Sequence, residues 1–159
     1  PTGNLNDGLT EAEYRQGDAR YRGTEAKLDI GLARDLWLNL GLDAVNATLT
    51  RSNTPLPRIP PLRGHIGLDA RYKNFRLQPS YTTANRQDRL YPAETATAGY
   101  GVFDLTASYV ITTKHVMHIF GVTAYNLGDT LYRNHLSFIK EYAPEIGRGV
   151  RFHYTLQLF

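Results

Sequence analysis

The chain has 159 residues, a net charge of +3 and no cysteine. This length suits a single domain, the missing thiols exclude a disulfide framework, and the interspersed acids and bases do not form the basic patch that would indicate a nucleic-acid partner. No apolar run approaches the roughly 18 residues of a membrane helix. The mean hydropathy of −0.40 still allows a membrane barrel, because only every second strand residue faces lipid.

Seven segments alternate apolar and polar residues with a period of two, which predicts β-strands with two different faces. The first runs from Glu13 to Ala33, and the segment 116–126 is apolar on both sides, so its faces stay unassigned. In chain order, the apolar faces of the other segments are Thr24, Ala26, Leu28, Ile30 and Leu32; Leu36, Leu38, Leu40, Leu42 and Ala44; Ile66, Leu68, Ala70 and Tyr72; Phe75, Leu77, Pro79 and Tyr81; Phe103, Leu105, Ala107, Tyr109 and Ile111; and Val150, Phe152, Tyr154, Leu156 and Leu158.

The connections between these segments alternate between short and long. The tight turns fall at 34–35, 73–74 and 112–115, and the long connections at 50–62, 84–100 and 127–148. An up-and-down sheet with all its short turns on one edge and all its long loops on the other is typical of an outer-membrane barrel. The pattern therefore predicts short periplasmic turns and long extracellular loops.

Aromatic residues lie near both ends of the predicted apolar faces. Tyr72, Phe75 and Tyr109 lie beside the tight turns, and Tyr81, Phe103 and Phe152 beside the long loops, with small or aliphatic residues between them. Two aromatic belts flanking an aliphatic band are typical of a membrane-spanning barrel, whereas a soluble sandwich core would place its large aromatics near mid-strand. Pro79 removes a backbone donor from the ladder, which counts against a central position for its strand, although a bulge there could absorb it.

Seven strands leave two open edges, and bacterial barrels usually have an even number of strands. An isolated sheet with an apolar face would aggregate, so we expect further strands upstream of this chain. Residues 1–4 carry no signal-peptide pattern, which suggests that a signal was cleaved or that the chain begins inside a longer one. The predicted fold class is all-β: an antiparallel, up-and-down transmembrane barrel segment of about seven strands.

An ordered set of motifs resembles the C-terminal part of a TonB-dependent outer-membrane receptor. Within residues 14–25, Ala19, Gly23 and Glu25 match the family's A-x-x-x-G-x-E pattern. Residues 54–63 resemble its proline-rich extracellular loop, and 125–133 resemble its N-L-F-D-x-x-Y-R motif, with Gly128 in place of the phenylalanine. Residues 134–138 and 143–148 extend the match. The chain ends on Phe159, although the alternation of the last strand puts this residue on the opposite face from Phe152.

The resemblance implies a 22-stranded barrel in the bacterial outer membrane, of which residues 1–159 would be the C-terminal portion. A plug domain, the earlier strands and a segment that contacts the TonB system would lie outside this sequence. The implied function is active import of a scarce ligand such as an iron chelate, with outer-membrane lipid and lipopolysaccharide as further partners. The barrel wall and loops would perform no bond chemistry, so no enzyme activity, cofactor or metal site is expected.

Candidate ligand-binding residues lie on the predicted outer loops, where arginine beside tyrosine suits an anionic, aromatic-rich chelate. For each of them the alternative is loop solubility or contact with lipopolysaccharide phosphates. His135 could meet a metal or an anion, but a hydrogen bond within its loop is the favoured interpretation. The candidates are Arg86, Arg89, Tyr91, Tyr100, Tyr132, Arg133 and His135, with Lys140 and Tyr142 beside them.

Two other functional classes stay open at this point. A passive porin-like or adhesive barrel would lack a plug upstream, and a soluble β-sandwich binding module would leave no lipid-facing belt. The lumen-facing row Arg63, His65, Asp69 and Arg71 is expected to pair with lumenal neighbours or with a plug.

Overall fold

The computed structural model describes residues 4–11, 16–92 and 94–159, and this part of the chain contains no helix. No helix of the described residues is therefore long and apolar enough to cross a membrane. The described residues form ten strands, in chain order β1 (Leu5–Asn6), β2 (Leu9–Thr10), β3 (Ala19–Ala33), β4 (Leu36–Leu49), β5 (Thr54–Pro55), β6 (Arg63–Tyr72), β7 (Phe75–Ala84), β8 (Tyr100–Thr112), β9 (Val116–Tyr125) and β10 (Gly149–Leu158).

The seven long strands form one antiparallel sheet in the order β10-β9-β8-β7-β6-β4-β3, with the short β5 paired to β4. Each long strand pairs with the next long strand along the chain, so the predicted up-and-down meander of seven strands is confirmed. The tight turns and long connections also lie where they were predicted. The first strand begins at Ala19 rather than at residue 13; residues 12–15, which include Glu13 and Tyr14 of the predicted strand and motif, lie outside the described residues.

Three short strands escaped the sequence prediction. β1 and β2 form a hairpin whose turn residues, Asp7 and Gly8, both have positive φ, as a two-residue hairpin turn requires. β5 pairs Thr54 and Pro55 with Leu49 and Thr48, so the proline-rich loop folds back on the end of β4. Two-residue pairings of this kind have too few alternating positions to be detected as a period.

The register places the predicted apolar residues of neighbouring strands opposite one another. Leu40, for example, lies opposite Leu28 on one side and Ile66 on the other. Register also settles the faces of β9: Phe120 lies opposite Tyr109 and Tyr154, so the even-numbered residues of β9 share the apolar face. We call this the outward face and the opposite one, which carries the charged side chains, the lumenal face.

Pro79 lies in β7, a central strand of the sheet, and the strand has no bulge there. β6 pairs Gly67 with Ser80 and Ala70 with Leu77, so the register is the same on both sides of Pro79. The β7–β8 ladder likewise pairs Pro79 directly with Leu105. The sheet therefore accommodates the missing donor by omitting a local pairing and not by inserting a residue. The described sheet does have one register shift, between Gly31 and Ala33 at the end of β3.

Aromatic side chains form one continuous row across five strands near the tight turns. Its successive register partners are Tyr72, Phe75, Tyr109, Phe120 and Tyr154. Near the long loops, Tyr81 lies opposite Phe103. The ring of Tyr81 covers Gly101, where any Cβ would overlap its hydroxyl, so this glycine is required for the close approach of the ring.

The sheet is a single layer with almost no apolar core. In the strands, the buried apolar side chains are Ala47, Ala84 and Val102, while most of the large apolar side chains of the outward face are exposed. A soluble sandwich would cover that face with a second sheet, but the one other sheet of the described residues is the β1–β2 hairpin, which contacts none of the long strands. An uncovered apolar face of this extent requires an apolar solvent, which a lipid bilayer supplies.

Candidate functional site

Three long loops leave the same edge of the sheet and form what we call the loop rim: residues 50–62, 85–99 and 126–148. They share an edge because the tight turns occupy the opposite one in an up-and-down sheet. All candidate ligand residues lie on this rim or next to it. Tyr100, which was expected in the second loop, is instead the first residue of β8.

Asn126 organises the base of the third loop. It is 2% exposed, and its side-chain amide donates to the carbonyl oxygens of Thr130 (3.0 Å) and Ile146 (3.2 Å) and accepts from the Thr130 amide (2.9 Å). Its own backbone amide donates to Asp104 (2.8 Å). Both ends of the loop are thus tied to one buried side chain, which gives the asparagine of the sequence motif a structural role.

Asp129 closes the same loop base. Its backbone amide donates to the carbonyl oxygen of Asn126 (2.8 Å), and its carboxylate accepts from the backbone amide of Arg148 (3.0 Å). Asn126 and Asp129 both have positive φ, a conformation that Asn and Asp tolerate better than most residues. Gly128, where the family motif usually has phenylalanine, lies in the exposed turn between them.

His135 joins the third loop to the second. It is 2% exposed, and its Nδ1 lies 3.0 Å from the Thr97 hydroxyl and 3.3 Å from the Lys140 ammonium. Lys140 is also buried and donates to the carbonyl oxygen of Thr95 (2.8 Å). We call His135, Lys140, Thr97 and the nearby Glu94 the His135 junction.

The contacts of His135 define its protonation. A lysine ammonium can only donate, so Nδ1 must accept from Lys140 and the ring proton must lie on Nε2. Nε2 is buried without a hydrogen-bond partner in the described part of the chain and lies 3.8 Å from a Glu94 carboxylate oxygen. Burial, and then the charge of Lys140, lower the pKa of His135 below its usual 6.5, while Glu94 and Glu141 act in the opposite direction.

Glu94 connects the junction to the first loop. Its carboxylate accepts from the backbone amides of Arg58 (2.7 Å) and Tyr91 (3.2 Å). The Arg58 guanidinium also lies over the ring of Phe138, 3.0 Å from the ring centre, so the first loop contacts the third as well. The three loops are therefore held as one unit.

Arg86 and Arg89 line a small cleft of about 160 Å³ between β4, the proline-rich loop and the second loop. Pro60, Pro61 and Gln87 form part of its wall, and Gln87 donates to the carbonyl oxygen of Ile59 (2.7 Å). Both guanidinium groups are exposed; Arg86 pairs loosely with Asp88 at 3.6 Å. The cleft places two cations at a rigid, proline-lined opening.

Tyr100 and Tyr132 form an aromatic pair with ring centres 4.4 Å apart and planes inclined by 38°. Burial, and then the nearby Glu145, raise the pKa of Tyr132 above its usual range, so its hydroxyl stays protonated and can donate a hydrogen bond. Arg133 is exposed but donates to the carbonyl oxygen of Lys140 (2.5 Å).

Comparison with known proteins identifies the family. The family model described as "TonB dependent receptor-like, beta-barrel" matches residues 1–127. The chain belongs to the TonB-dependent receptor family. Among solved structures, "Copper transporter OprC" matches with a TM-score of 0.78 and 25% sequence identity over 90% of this chain. The match takes in 24% of OprC, so the chain spans about a quarter of that transporter's length, and no curated protein matches the chain.

The lumenal face of this receptor barrel carries paired charges. Arg63 contacts Asp43 at 2.8 Å, and His65 lies 3.2 Å from the Thr82 hydroxyl. Asp69 is buried and accepts two hydrogen bonds from each of Arg71 and Arg76. The interpretation that this row pairs with lumenal neighbours is thus confirmed by its contacts.

The receptor fold brings five of the seven candidate ligand residues to three places. Arg86 and Arg89 lie at the cleft, Tyr100 and Tyr132 form the aromatic pair, and His135 is buried in its junction. Tyr91 is half-buried and Arg133 is exposed. Sequence reasoning missed Glu94 and Thr97, because neither lies in a motif and each contacts a loop that is distant in sequence: Glu94 bonds to Arg58, 36 residues earlier, and Thr97 to His135, 38 residues later. No group of three or more metal-binding side chains comes together in the described ranges.

Proposed function

We propose that residues 1–159 form the C-terminal portion of the barrel of a TonB-dependent transporter in the outer membrane of a Gram-negative bacterium. The transporter would import a scarce ligand such as an iron chelate, energised by the TonB system. The observation that carries this proposal is the joined loop rim on one edge of a single-layer sheet whose outward face is apolar. The match to the TonB-dependent receptor family supports a role in transport or reception.

The two end strands of the sheet support a larger barrel. β3 and β10 each pair on one side only, and each has at least ten residues. Long open edges of this kind invite pairing, so further strands of the same barrel are the natural partners. We propose that the earlier strands, a plug domain and the segment that contacts TonB belong to the rest of the protein.

The rim chemistry supports an anionic, aromatic ligand. Arg86 and Arg89 supply exposed cations, and Tyr100 and Tyr132 supply a close pair of tilted rings, with a protonated hydroxyl on Tyr132. Guanidinium groups bind carboxylate and catecholate oxygens by paired hydrogen bonds, and aromatic rings stack on planar chelator groups. His135, which is buried, would position the loops and not touch the ligand.

Copper import is the second candidate, because the similar solved structure is a copper transporter. The two candidates differ in what the rim must recognise: a large anionic chelate in one case and a small cation in the other. The likeness to OprC is at 25% identity over a quarter of its length, so it favours the transporter class more strongly than the cargo.

Uptake by the full-length receptor in its own outer membrane tests the proposal. Cells would be given radiolabelled ferric chelate or copper, with and without an uncoupler of the proton-motive force. We expect accumulation of ferric chelate that the uncoupler abolishes. Accumulation that survives the uncoupler would indicate a passive porin, and energised uptake of copper alone would replace the iron-chelate proposal by the copper one.

Two variants connect uptake to the rim. Arg86→Gln with Arg89→Gln removes both cations of the cleft, and we expect ligand binding to weaken about tenfold or more, since hydrogen bonds to charged groups contribute about 1.5–3 kcal/mol each. Arg148→Gln, an exposed arginine at the other end of the rim, is the matched control and should leave binding unchanged. Equal loss in both variants would indicate a general charge effect.

A further inference from the structure

The His135 junction keeps a buried ammonium against a neutral imidazole ring. Lys140 is 8% exposed and His135 2% exposed, and the ammonium donates to the ring Nδ1 at 3.3 Å. The partners of both side chains belong to the second and third loops, so the contacts of the junction are made within this part of the chain. A positive charge on the ring would be strongly unfavourable at this distance from the ammonium.

The other ring nitrogen faces a carboxylate to which it is not bonded. Nε2 is buried, has no hydrogen-bond partner among the described residues, and lies 3.8 Å from an oxygen of Glu94. A hydrogen bond between nitrogen and oxygen needs about 2.7–3.2 Å, so a movement of about 1 Å would form one. Buried donors without a partner are rare, which makes this arrangement unusual for a purely structural contact.

Charged side chains approach the ring from both loops of the junction. They are Lys140, Glu141 and Arg133 of the third loop and Glu94 of the second, with Arg58 of the first loop bonded to Glu94 through its backbone amide. The Arg133 guanidinium donates to the carbonyl oxygen of Lys140 (2.5 Å), and Glu141 is exposed. Lys140 is therefore the cation, and Glu94 the nearest acid, that respond to a proton on the ring.

A proton that binds to His135 changes the partners on both sides of the ring. It must enter at Nδ1, because Nε2 already carries a hydrogen, and the ring can then no longer accept from Lys140. The imidazolium repels the ammonium and attracts the Glu94 carboxylate. Since Lys140 also donates to the carbonyl oxygen of Thr95 (2.8 Å), its departure removes a bond between the second and third loops.

We propose that the His135 junction is a proton-operated latch between the second and third loops of the rim. When His135 is neutral, the buried Lys140 side chain ties the two loops together. When His135 takes up a proton from water, Glu94 pairs with the ring, Lys140 moves out to solvent and the loops separate. Burial, and then Lys140, lower the pKa of His135 in the closed rim, so the latch is fully stable above about pH 6.5 and loses stability as the pH falls through the lowered pKa.

The latch acts on the ligand through the positions of the rim residues, a consequence that rests on the proposed function. Arg86 and Arg89 belong to the second loop and Tyr132 to the third, so a ligand that contacts both groups prefers the closed rim. By linkage, such a ligand binds more weakly in acid and lowers the pKa of His135 further when it binds. The weakening is at most about tenfold at pH 5.5, one unit below the usual pKa of histidine.

The distance between the two loops tests the latch without any ligand. The full-length receptor would carry spin labels at Ala96→Cys and Tyr142→Cys, which replace exposed residues of the second and third loops, and pulsed EPR would follow their separation from pH 7.5 to 5. We expect a longer distance to appear as the pH falls, and to be absent when His135→Gln is added. A distance that stays constant in the parent, or that changes equally in His135→Gln, would overturn the latch.

Two charge variants give signed predictions that a merely structural contact would not. Glu94→Gln removes the acid that favours the protonated ring but keeps an oxygen that accepts from the Arg58 amide, so the midpoint of opening should shift to lower pH. Lys140→Met removes the tie itself, so the longer distance should be present already at pH 7.5. An unchanged or raised midpoint in Glu94→Gln, or a closed rim in Lys140→Met, would contradict the mechanism.

Binding of a ferric tris-catecholate chelate at pH 7.5 and 5.5 tests the coupling to the ligand. The parent should lose several-fold more affinity than His135→Gln, which corrects for protonation of the chelate, and equal losses would overturn the coupling. Uptake separates the latch from the proposed function. Opening in acid without energised uptake would overturn only the transport proposal, whereas energised uptake with a distance independent of pH would overturn only the latch.

Discussion

The barrel wall and the loop rim of this molecule bury opposite kinds of side chain. The wall, formed by the seven long strands, buries few apolar groups and presents its apolar residues to the outside. The rim instead buries polar side chains, among them Gln87, Thr97, Asn126 and His135. The difference follows from the surroundings of the two regions. The bilayer provides the apolar surroundings of the wall, whereas the backbone N–H and C=O groups of the rim must find hydrogen-bond partners among the rim's own side chains.

Placing a charge on the outward face should destabilise the wall more than any of the rim variants below destabilises the rim. Leu105→Arg puts a guanidinium in the middle of the apolar band, opposite Pro79 and Ala124, and should cost about 2–4 kcal/mol. Gln78→Arg, one residue from Pro79 on the lumenal face, is the matched control and should cost little. Equilibrium unfolding in detergent or bilayers would measure both, and equal stability of the two variants would show that Leu105 does not face lipid.

Removing the side chain that ties the base of the third loop should open the rim and leave the wall intact. Asn126→Ala removes three side-chain hydrogen bonds and leaves two carbonyl oxygens and one amide without that partner, at a cost of about 2–3 kcal/mol. Hydrogen exchange should increase across 126–148 and stay unchanged in β6 and β7. Asn134→Ala removes one side-chain bond, to the Leu136 amide, and should have a smaller effect. Similar exchange in the two variants would contradict the role of Asn126.

The Lys140 ammonium should control both the strength of the His135 junction and the protonation of its histidine. Lys140→Met removes the donor to Thr95 and His135, so the contact between the second and third loops should weaken by about 1–2 kcal/mol. Because Lys140 lowers the pKa of His135, the variant should titrate closer to the usual value. The histidine ring protons, followed by NMR, would report this pKa. Lys114→Met, at an exposed lysine in a tight turn, is the control for the loss of a charge. An unchanged pKa of His135 in Lys140→Met would refute the electrostatic coupling.

Acidification should loosen the rim before it affects the wall. The pKa of His135 is lowered in the closed rim, so below about 6.5 the opened loop takes up a proton that the closed loop does not. The rim therefore loses stability as the pH falls from about 6.5 to the lowered pKa, by at most about 1.4 kcal/mol per pH unit. Limited proteolysis of the loops at pH 7.5 and 5.5 measures this. His135→Gln should flatten the pH dependence of proteolysis. A parent rim that resists proteolysis equally at both pH values would contradict the role of His135.

The smallest effect is expected from the contact between the first and third loops. Arg58→Gln removes the guanidinium from the ring of Phe138 but keeps the backbone bond to Glu94, so it should cost about 0.5–1 kcal/mol. Hydrogen exchange of the first loop should rise modestly. Arg51→Gln, an exposed arginine of the same loop, is the control, and an equal response from both would mean that the cation–π contact contributes nothing.

The same comparison explains what the sequence could predict. The wall was predictable because alternation and turn length encode it locally: Leu36 to Leu42 alternate visibly, and the turn at Lys73 and Asn74 is tight. β9 was ambiguous because residues such as Ile119 make its lumenal face apolar too, and register with Tyr109 and Tyr154 was needed to orient it. Pro79 counted against a central strand position, but β7 is central, and a strand held by two ladders keeps its register without a bulge.

The rim was less predictable because its contacts join distant parts of the chain. Thr97 and His135 are 38 residues apart, and Arg58 and Glu94 are 36 apart, with no periodic signal to link them. The asparagine motif at 126 was visible, but its hydrogen bonds were not.

The central claim is that the alternating wall separates lipid from water, and single-cysteine accessibility tests it most directly. The chain has no cysteine, so each introduced thiol is unique within this region. Spin labels at Leu105→Cys and Thr106→Cys of the receptor in outer-membrane vesicles would be exposed to oxygen, which partitions into lipid, and to a water-soluble nickel chelate. We predict that oxygen relaxes the label at 105 and the nickel chelate the label at 106. Strong relaxation of both labels by the nickel chelate would contradict the membrane wall.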